Sequence, residues 1–498
     1  MTSATTALPG QMRALLADAV AAYAGTPEEP TLRALLQRLD EPLRVAIAGR
    51  IKAGKSTLLN ALVGERLAAT DAGECTKVIT WYMNGVASRA WAHPRRGPAH
   101  QIPFERVDGE TVMDLGALTA TDLEKLVVEV PSTRLERLTL IDTPGIGSLS
   151  TEVSDRTTDA LSGTGDGAPM ADAVLYLMRH LHASDVQFLE AFHDSQFTET
   201  TPVNSIGVLS RADEIGAGRT DAIDVAGRVA AAYRRDTRVR ALVQTVLPVA
   251  GLLGQAGSAL RERDFAALRA LAAAGVDADG LMLSADRFAA EAPAVPGVPV
   301  SAQVRGELLA LLGLSGIRMS VALLRNGAVR DSAELAQELR RRSGLDELRA
   351  TLLNQFTRRR DLLKAHATLR VLERLLATRP PPAGGELHIR VEAVLAGAHE
   401  LTELRLFNDL RSGEVRLADE DMLQAAEAML GAAGDDPRAR LRLPAEAPDD
   451  AVRSALLAAL GRWRRYSESP AANAAARRAA AVLRRSCEGT LAALSNRP

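Results

Sequence analysis

At 498 residues the chain is too long for one hydrophobic core, since single cores stop growing at about 250–300 residues, and two or three domains are expected. The formal net charge of −2 lacks the basic excess of dedicated nucleic-acid-binding proteins, so we expect no nucleic-acid partner. The two cysteines, Cys75 and Cys487, are too few for a disulfide framework or a cysteine-based zinc site, which favours a reducing cytoplasm.

Hydropathy gives no sign of an export signal or a membrane span. Residues 1–10 are polar, and the apolar residues of 12–23 are interrupted by Arg13 and Asp18. The most apolar stretch, residues 308–317, is about half as long as the roughly 18–20 residues that cross a bilayer. We therefore expect any membrane contact to be peripheral.

Helices and short apolar runs alternate through the first half of the chain. Amphipathic helices are predicted at residues 11–23 and 31–40. Mostly apolar strands are then predicted at residues 43–48, 78–83, 89–93, 138–141, 173–177, 205–209 and 245–249. Helices are predicted between them at residues 56–63, 185–193 and 219–235. The alternation predicts an α/β domain with a mostly parallel sheet flanked by helices, over residues 42–254.

After residue 254 the strand pattern stops. Helices are predicted at residues 258–274, 302–312, 318–324 and 331–342. Leucines recur at helical spacing throughout residues 345–378, which predicts one unbroken helix before the proline and glycine run of residues 380–385. The second half is therefore expected to form an elongated helical bundle.

Residues 49–56, GRIKAGKS, match the phosphate-binding pattern GxxxxGK[ST] without a mismatch, between a predicted strand and a predicted helix. Glycines in such a loop let backbone N–H groups turn towards phosphate oxygens, and the helix N-terminus adds a favourable dipole. Lys55 is expected to reach the β- and γ-phosphates, and the Ser56 hydroxyl to bind Mg²⁺. The residues predicted to contact nucleotide in this loop are Gly49, Lys52, Ala53, Gly54, Lys55, Ser56 and Thr57.

The tetrapeptide DTPG at residues 142–145 follows the predicted strand at residues 138–141. Proline and glycine favour a turn, which is the plainer interpretation of the tetrapeptide taken alone. Downstream of a phosphate-binding loop, the Asp142 carboxylate is expected to hold Mg²⁺, directly or through water. The Gly145 amide is expected to contact the γ-phosphate.

A loop threonine is expected to sense both Mg²⁺ and the γ-phosphate. Thr76 is the first candidate, with Thr70 and Thr80 as alternatives and a solvent-exposed or capping hydroxyl as the plainer interpretation. The predicted Mg²⁺ ligands are therefore Ser56, Thr76 and Asp142.

Ser210, Arg211 and Asp213 follow the predicted strand at residues 205–209 in a variant of the [NT]KxD element. In that element the Asp accepts hydrogen bonds from guanine N1–H and from the exocyclic amine. Adenine lacks this donor pair, so Asp213 is expected to select GTP over ATP. Arg211 has a long stem and a planar head that can stack on the base. Three motifs in this order, each at a strand end, predict a GTP site.

These motifs resemble those of the dynamin-like GTPases, and among them the isoniazid-inducible dynamin-like proteins of mycobacteria and related actinobacteria. The matching segments are residues 49–56, 69–76, 142–145, 210–216, 313–320 and 343–345. The resemblance implies Mg²⁺-dependent hydrolysis of GTP to GDP and phosphate by a dynamin-type GTPase domain, followed by an α-helical neck and trunk. The implied division is N-terminal neck helices at residues 1–41, the GTPase domain at 42–254, the neck at 255–345, the trunk with its tip loops at 346–450, and C-terminal helices returning to the neck at 451–498.

The same resemblance implies a mode of action. GTPase domains would pair when nucleotide binds, with a second copy or a paralogue, and the neck would swing. The protein would bind an anionic lipid surface peripherally, at the inner face of the cell membrane, and remodel or divide it. The alternatives are an Era-like GTPase switch acting on RNA and a scaffold that toggles a protein partner without remodelling membrane.

The phosphate-binding loop departs from many dynamins, which carry Gln-Ser where this chain has Ile51 and Lys52. Guanylate-binding proteins, a related family, carry an arginine finger near this place. We hypothesise that Lys52 supplies positive charge to the transition state, with a solvent-facing Lys52 as the alternative. The predicted catalytic residues are thus Lys55, Thr76 and Lys52. Ile146 stands where Ras-like enzymes carry a catalytic glutamine, which predicts slow basal hydrolysis improved by dimerisation.

Three segments are considered for membrane contact. The tip at residues 378–386 is the first candidate, and the loop at residues 431–450 competes with it. The basic and aromatic cluster RWRRY at residues 462–466 suits an anionic surface, although a solvated neck helix is the favoured interpretation.

Overall fold

The computed structural model describes residues 8–50, 52–64, 67, 78–107, 110–144, 170–179, 204–219, 221–290, 298–357, 359–381 and 385–495. Several predicted features lie outside these described residues: Ile51, Thr70, Thr76, Gly145, Ile146 and the helix at residues 185–193.

The strands of the first half form one large sheet and one small hairpin. In chain order they are β1 Leu43–Gly49, β2 Thr80–Asn84, β3 Arg89–Pro94, β4 His100–Ile102, β5 Phe104–Val107, β6 Glu110–Met113, β7 Leu123–Val130, β8 Leu138–Asp142, β9 Ala173–Met178, β10 Ser205–Ser210 and β11 Val246–Val249. The nine-stranded sheet has the order β11-β10-β9-β1-β8-β2-β7-β3-β4, and β5 pairs with β6.

The strands from β11 to β8 all run parallel to one another. Towards the other edge, β2 and β7 are parallel to each other and antiparallel to β8. Strand β3 is antiparallel to β7, and β4 is antiparallel to β3. Strands β9 and β10 are buried along their whole length, as a sheet covered on both faces requires. The predicted α/β fold with a mostly parallel sheet is confirmed.

Strand β7 is absent from the sequence-based prediction. Its sequence LEKLVVEV carries Glu124, Lys125 and Glu129 within an apolar run, which obscures the pattern. In the sheet the Lys125 ammonium lies 4.2 Å from the ring centroid of Trp81 on the neighbouring strand β2. This cation–π contact stabilises a charged side chain within an inner strand. Its partner, Trp81, is distant in sequence, so the local pattern does not reveal the contact.

Helices cover the sheet and form the second half. They are α1 Leu8–Ala22, α2 Glu29–Arg38, α3 Lys55–Val63, α4 Ile215–Gly218, α5 Ala222–Tyr233, α6 Thr237–Leu242, α7 Gly251–Ala259, α8 Glu262–Ala273, α9 Val276–Leu281, α10 Ala285–Ala289, α11 Ala302–Arg325, α12 Ser332–Arg342, α13 Leu345–Thr351, α14 Arg360–Thr378, α15 Gly385–Gly397, α16 His399–Ser412, α17 Glu420–Met429, α18 Pro437–Arg440, α19 Asp449–Ser467 and α20 Ala474–Ser495.

The prediction of one unbroken α-helix over residues 345–378 is wrong. Helix α13 passes into a π-helix, Leu352–Thr357, and α14 begins only at Arg360. The buried Gln355 side chain accepts a hydrogen bond from Gln244 and donates one to the Ala432 carbonyl. The Arg359 guanidinium donates to the Asp435 carboxylate and to the carbonyls of Leu430 and Gly431. These tertiary bonds account for the change of helical geometry, which the leucine spacing does not reveal.

One further helix prediction needs correction, and one pair of predicted helices is confirmed as a pair. Residues 258–274 are not one helix, because α7 ends at Ala259 and α8 begins at Glu262, where the Asp264 carboxylate accepts the Arg261 N–H at 2.9 Å. The two helices predicted at residues 302–312 and 318–324 both lie in α11, which consists of two helices joined at a kink at Gly313, so the first ends where predicted and the second begins earlier than predicted.

Three groups of buried side chains hold these elements together. One face of the sheet packs with α3 and with helices of the C-terminal half, including α13, α16, α17, α19 and α20. The opposite face packs with α5, α6 and the helices from α7 to α12. The third group joins α1 and α2 to α14 and α15, and begins with Met12, Leu15 and Leu16.

Among the described residues, α11 is the one helix whose length and apolar character suit a membrane span, with 24 residues and a mean hydropathy of 1.7 in its most apolar window. Its side chains Leu308, Leu312 and Ile317 are buried in the core against the second face of the sheet. The guanidinium of Arg305, also buried, donates to the carbonyls of Phe288, Val300 and Ala290. In this fold α11 is therefore a core helix.

A buried ionic joint connects the N-terminal helices to the sheet and to α14. The Arg38 guanidinium at the end of α2 donates to the Asp172 carboxylate at 2.7 Å, with side chains 6% and 1% exposed. Asp172 also accepts the Arg44 backbone N–H of β1 at 2.8 Å. From α14, the buried Lys364 ammonium donates to the carbonyls of Arg38 and Glu41.

Substituting Asp172→Asn is expected to destabilise the fold by about 3 kcal/mol, because the buried Arg38 charge then loses its counter-charge. The measurement is the midpoint of the first urea unfolding transition. Asp40→Asn is the matched control, since Asp40 pairs with Arg13 at the surface, where the side chains are 67% and 54% exposed, and should cost about 1 kcal/mol or less. Equal shifts for the two variants would contradict the structural role given to the buried pair.

Candidate nucleotide site

The loop after β1 turns at the carboxyl end of a central strand. Gly49 has φ +151, and a Cβ at that position would lie 2.6 Å from the carbonyl oxygen of Leu177 on β9. Only glycine fits this approach between two paired strands. Lys52 follows with φ +61, and Gly54 with φ +90 is the N-cap of α3. No described atom lies within 4 Å of a Cβ built on Gly54, so the N-terminus of α3 is accessible there.

The charged side chains of this loop are held close to the backbone and to β8. The Lys55 ammonium lies 3.3 Å from the Gly49 carbonyl oxygen and 3.4 Å from that of Arg50. The Ser56 hydroxyl donates to Oδ2 of Asp142 at 3.1 Å. Beside them the Thr143 hydroxyl donates to the Ile47 carbonyl at 2.9 Å, which fixes the turn after β8 against β1.

Burial sets the electrostatics of this end of the site. It raises the pKa of Asp142 to about 6, against the opposing effects of Lys55 and of the Ser56 hydrogen bond. It also lowers the pKa of Lys55, against the attraction of Asp142. None of the described residues gives Oδ1 of Asp142 a hydrogen-bond partner, although the atom is buried. A cation bound here would offset both the desolvation and the missing contact.

The donor set fits Mg²⁺. A serine hydroxyl and a carboxylate are the hard oxygen ligands that Mg²⁺ takes in phosphate sites, and Ser56 and Asp142 are already in contact. Thr76, the third predicted ligand, and Gly145, the predicted γ-phosphate contact, lie outside the described residues. Of the alternatives to Thr76, Thr80 is buried in β2 and donates to the Val78 carbonyl at 3.2 Å.

The predicted base-recognition residues follow β10. The Ser210 hydroxyl donates to the Met178 carbonyl of β9 at 3.2 Å. Arg211 has φ +52, a conformation rare for residues other than glycine, and its guanidinium binds Glu214 at 2.9 Å. Asp213 is 6% exposed, and burial raises the pKa of its carboxyl to about 6.

One cavity of about 390 Å³ connects the two ends of the site. Its wall at the phosphate end comes from Ala53, Gly54, Thr57 and Leu58. Its wall at the base end comes from Val208, Ser210, Arg211, Asp213 and Glu214. The structure thus brings together residues that the sequence assigns to phosphate binding and to guanine binding. Lys52 is exposed and does not line this cavity. The other predicted phosphate and Mg²⁺ residues that lie outside its lining are Gly49, Lys55, Ser56 and Asp142.

Two parts of the wall are absent from the sequence-based prediction. Val249, Gly251 and Leu252 come from the end of β11 and the start of α7. Their place at the carboxyl end of a predicted parallel strand was a usable signal, because ligands bind at that edge of such sheets. The other part comes from α10 and α11, with Ala285, Leu309, Gly313, Leu314 and Ser315. No local pattern marks these helical residues as part of a site.

Comparison with known proteins gives a consistent assignment. The profile of the dynamin family matches residues 45–211. The isoniazid-induced protein IniC of Mycobacterium tuberculosis is 39% identical over 496 residues, which cover 98% of this chain and 99% of the relative. A bacterial dynamin-like protein of Nostoc punctiforme is 32% identical over 114 residues, 21% of this chain and 16% of that protein.

Solved structures of an oligomerised bacterial dynamin pair, described as sensing and tethering membranes over long range, also align with the chain. Two such structures have 13% and 12% identity and TM-scores of 0.34 and 0.30. Each alignment covers the whole of this chain, and 77% and 76% of the solved chains.

Guanine nucleotide affinity is expected to fall as the pH drops below about 6, by up to tenfold per pH unit. The pKa of Asp213 is about 6, and only the ionised carboxylate accepts both guanine hydrogens, so at lower pH a proton must leave before the base binds. The measurement is the Kd of a fluorescent GDP between pH 5 and 8.

Asp213→Asn serves as the control for this pH dependence, because Asp142 also titrates near pH 6. The carboxamide has one acceptor and one donor, which complement xanthine and not guanine. The variant should bind GDP more weakly and xanthosine diphosphate more tightly than wild type does, and its nucleotide affinity should vary less with pH. An unchanged preference for GDP would remove Asp213 from base recognition.

Proposed function

The chain belongs to the dynamin family and is a GTPase, and from this premise we propose that it couples nucleotide-dependent pairing of GTPase domains to remodelling of a membrane. GTP binds between the phosphate loop and Asp213, with Mg²⁺ at Ser56 and Asp142. The paired domains belong to two copies of the chain or to this chain and a paralogue. The protein acts from the cytoplasm on the anionic inner face of the cell membrane, which it binds peripherally.

The observation that carries the nucleotide part is the single cavity that reaches from the phosphate loop to Asp213. Ala53, Gly54 and Thr57 line one end, and Ser210 and Asp213 line the other. A nucleoside triphosphate needs two such features at a fixed separation, a loop at a helix N-terminus whose backbone amides meet the phosphates and a hydrogen-bonding end for the base.

The protein groups divide the work of hydrolysis. The Lys55 ammonium, desolvated within the loop, balances charge on the β- and γ-phosphates. Ser56 and Asp142 hold Mg²⁺, which supplies charge neutralisation at the phosphate oxygens when bound. Asp213 orients the nucleoside by its base edge. Thr76 is proposed to complete the site around Mg²⁺ and the γ-phosphate.

Lys52 is proposed to add transition-state charge. It has a left-handed backbone conformation with φ +61, and its side chain is exposed at the loop. An exposed cation next to the phosphates is available either to its own nucleotide or across a paired domain. Together with Ile146 in place of a catalytic glutamine, this arrangement favours slow turnover by single molecules and faster turnover by pairs.

The helices proposed to receive a nucleotide signal are the N-terminal neck helices α1 and α2 and the trunk helices α14 and α15. Helices α1 and α2 from the chain start pack with α14 and α15, and the ionic joint of Arg38, Asp172 and Lys364 ties this group to β1 and β9. The N-terminal helices and α14 therefore share one anchor on the GTPase domain. A domain movement would be transmitted through it.

The tip that follows α14 remains the proposed membrane contact. Tyr23 donates its hydroxyl to the Arg379 carbonyl at 3.0 Å, and Arg379 pairs with Glu28 at 2.9 Å, so the turn between α1 and α2 lies beside the tip. Ile389 on α15 is 68% exposed nearby in sequence. The cluster at residues 462–466 is a weaker candidate for membrane contact, because Trp463 is buried among the side chains that pack on the α3 face of the sheet.

Turnover per molecule is expected to rise with protein concentration, and GTP is expected to promote binding to vesicles of phosphatidylserine and phosphatidylcholine with tubulation or leakage. Phosphate release, vesicle co-sedimentation and dye leakage are the measurements. Lys55→Ala is the matched control, since it removes the phosphate contact and should abolish both effects. Concentration-independent turnover with no vesicle binding would leave a GTPase that toggles a protein partner.

Lys52→Ala is expected to lower the concentration-stimulated kcat by one order of magnitude or more and to leave GDP affinity within about twofold. The reason is that a charge acting on the transition state changes kcat more than ground-state binding. Steady-state turnover at low and high protein concentration separates the two effects. An unchanged kcat at both concentrations sinks the role given to Lys52.

A further inference from the structure

The segment at residues 313–320, GLSGIRMS, has no role in the function described so far. In the structure it begins at a break within α11, where Gly313 has φ +65 and ψ 167 inside a helix of 24 residues. L-residues avoid this left-handed conformation, and a Cβ on Gly313 would lie 3.2 Å from Cδ2 of Leu252. The break is therefore specified by the sequence and fits against α7.

The break opens onto the nucleotide cavity. Leu309, Gly313, Leu314 and Ser315 all line it, and each is only partly buried. The phosphate loop occupies one end of the same cavity, and Asp213 lies at the other. The part of a nucleotide that remains for α11 to contact is the nucleoside, its sugar and the face of its base.

The segment is also fixed to the loop that carries Asp213. The Ser315 hydroxyl oxygen lies 2.3 Å from the position that a Cβ on Gly218 would take. Arg318 donates to the Gly218 carbonyl at 3.4 Å, and it also donates to the carbonyls of Met282 and Leu283 between α9 and α10. The broken part of α11 thus packs directly on residues that follow Asp213, and its position depends on theirs.

We propose that residues 309–315 of α11 form the outer wall of the nucleoside pocket, with Leu314 and Ser315 in contact with the bound guanosine. The proposal rests on the proposed function, because it needs a guanine nucleotide in the cavity. It adds a binding determinant supplied by a helix beyond the last strand of the sheet. A bound nucleotide would then contact α11 directly and affect the position of this helix.

The first test compares affinities for GDP and for inorganic tripolyphosphate by calorimetry. Leu314→Ala removes apolar contact with the nucleoside, and Gly313→Ala opposes the break, so each should weaken GDP binding about tenfold. Tripolyphosphate has no nucleoside, so its affinity should stay within about twofold. Gly306→Ala is the matched control on the same helix, since no described atom lies within 4 Å of a Cβ there, and it should bind GDP as wild type does.

The second test uses the wild-type chain and is independent of whether Gly313→Ala folds. GDP should slow hydrogen exchange at the amides of residues 309–318, and tripolyphosphate should not. Wild-type GDP affinity in Leu314→Ala, or GDP protection that leaves residues 309–318 unchanged, overturns the inference alone. A wild-type protein that binds tripolyphosphate but not GDP overturns the proposed function and this inference together.

Discussion

The site depends on the close approach of Gly49 on β1 to Leu177 on β9. The space between these two parallel strands leaves no room for a side chain, since a Cβ would lie 2.6 Å from a carbonyl oxygen. Because β1 is a central strand, the loop that follows it emerges at the middle of the carboxyl edge. The ends of β8, β10 and β11 meet the same edge and bring Asp142, Ser210 and Gly251 around the loop. The order and direction of the strands therefore bring the nucleotide residues together, and glycine at position 49 is what lets the loop leave β1 at this edge.

The fold disfavours the ionised forms of two acidic residues that it positions at the site, Asp142 and Asp213. Burial raises the pKa of Asp142 and of Asp213 to about 6, although they lie at opposite ends of the site. Each carboxylate has lost water on burial, and Oδ1 of Asp142 has in addition no hydrogen-bond partner among the described residues, a cost that the proposed ligands would offset. A metal ion would do so at Asp142, and the guanine edge at Asp213. Binding of either ligand would therefore stabilise the folded state around the carboxylate that it contacts.

The sequence was informative where the chemistry is local. The phosphate loop, Asp142 and Asp213 follow predicted strands, and the positions of those strands in a parallel sheet were enough to anticipate that the motifs meet. It was uninformative where distant residues decide the geometry. The π-helix before α14 is bonded to Gln244 and Ala432, and the charged Lys125 of the inner strand β7 lies over the Trp81 ring of another strand. The α11 wall lies about a hundred residues beyond Asp213 in the chain and shares no motif with it.

Buried ion pairs between the GTPase domain and the C-terminal helices would limit any movement of one against the other. Glu427 of α17 binds both Arg240 of α6 and Arg411 of α16, and Arg411 also donates to the Gln244 carbonyl before β11 at 2.8 Å. These charges are about nine-tenths buried, so breaking one pair would leave the other partner uncompensated in a medium of low dielectric. Such contacts are either made or broken, and they do not deform gradually. If the proposed domain movement occurs, we expect the helices docked on α6 to move with the GTPase domain as one body, or to release from it in one discrete step.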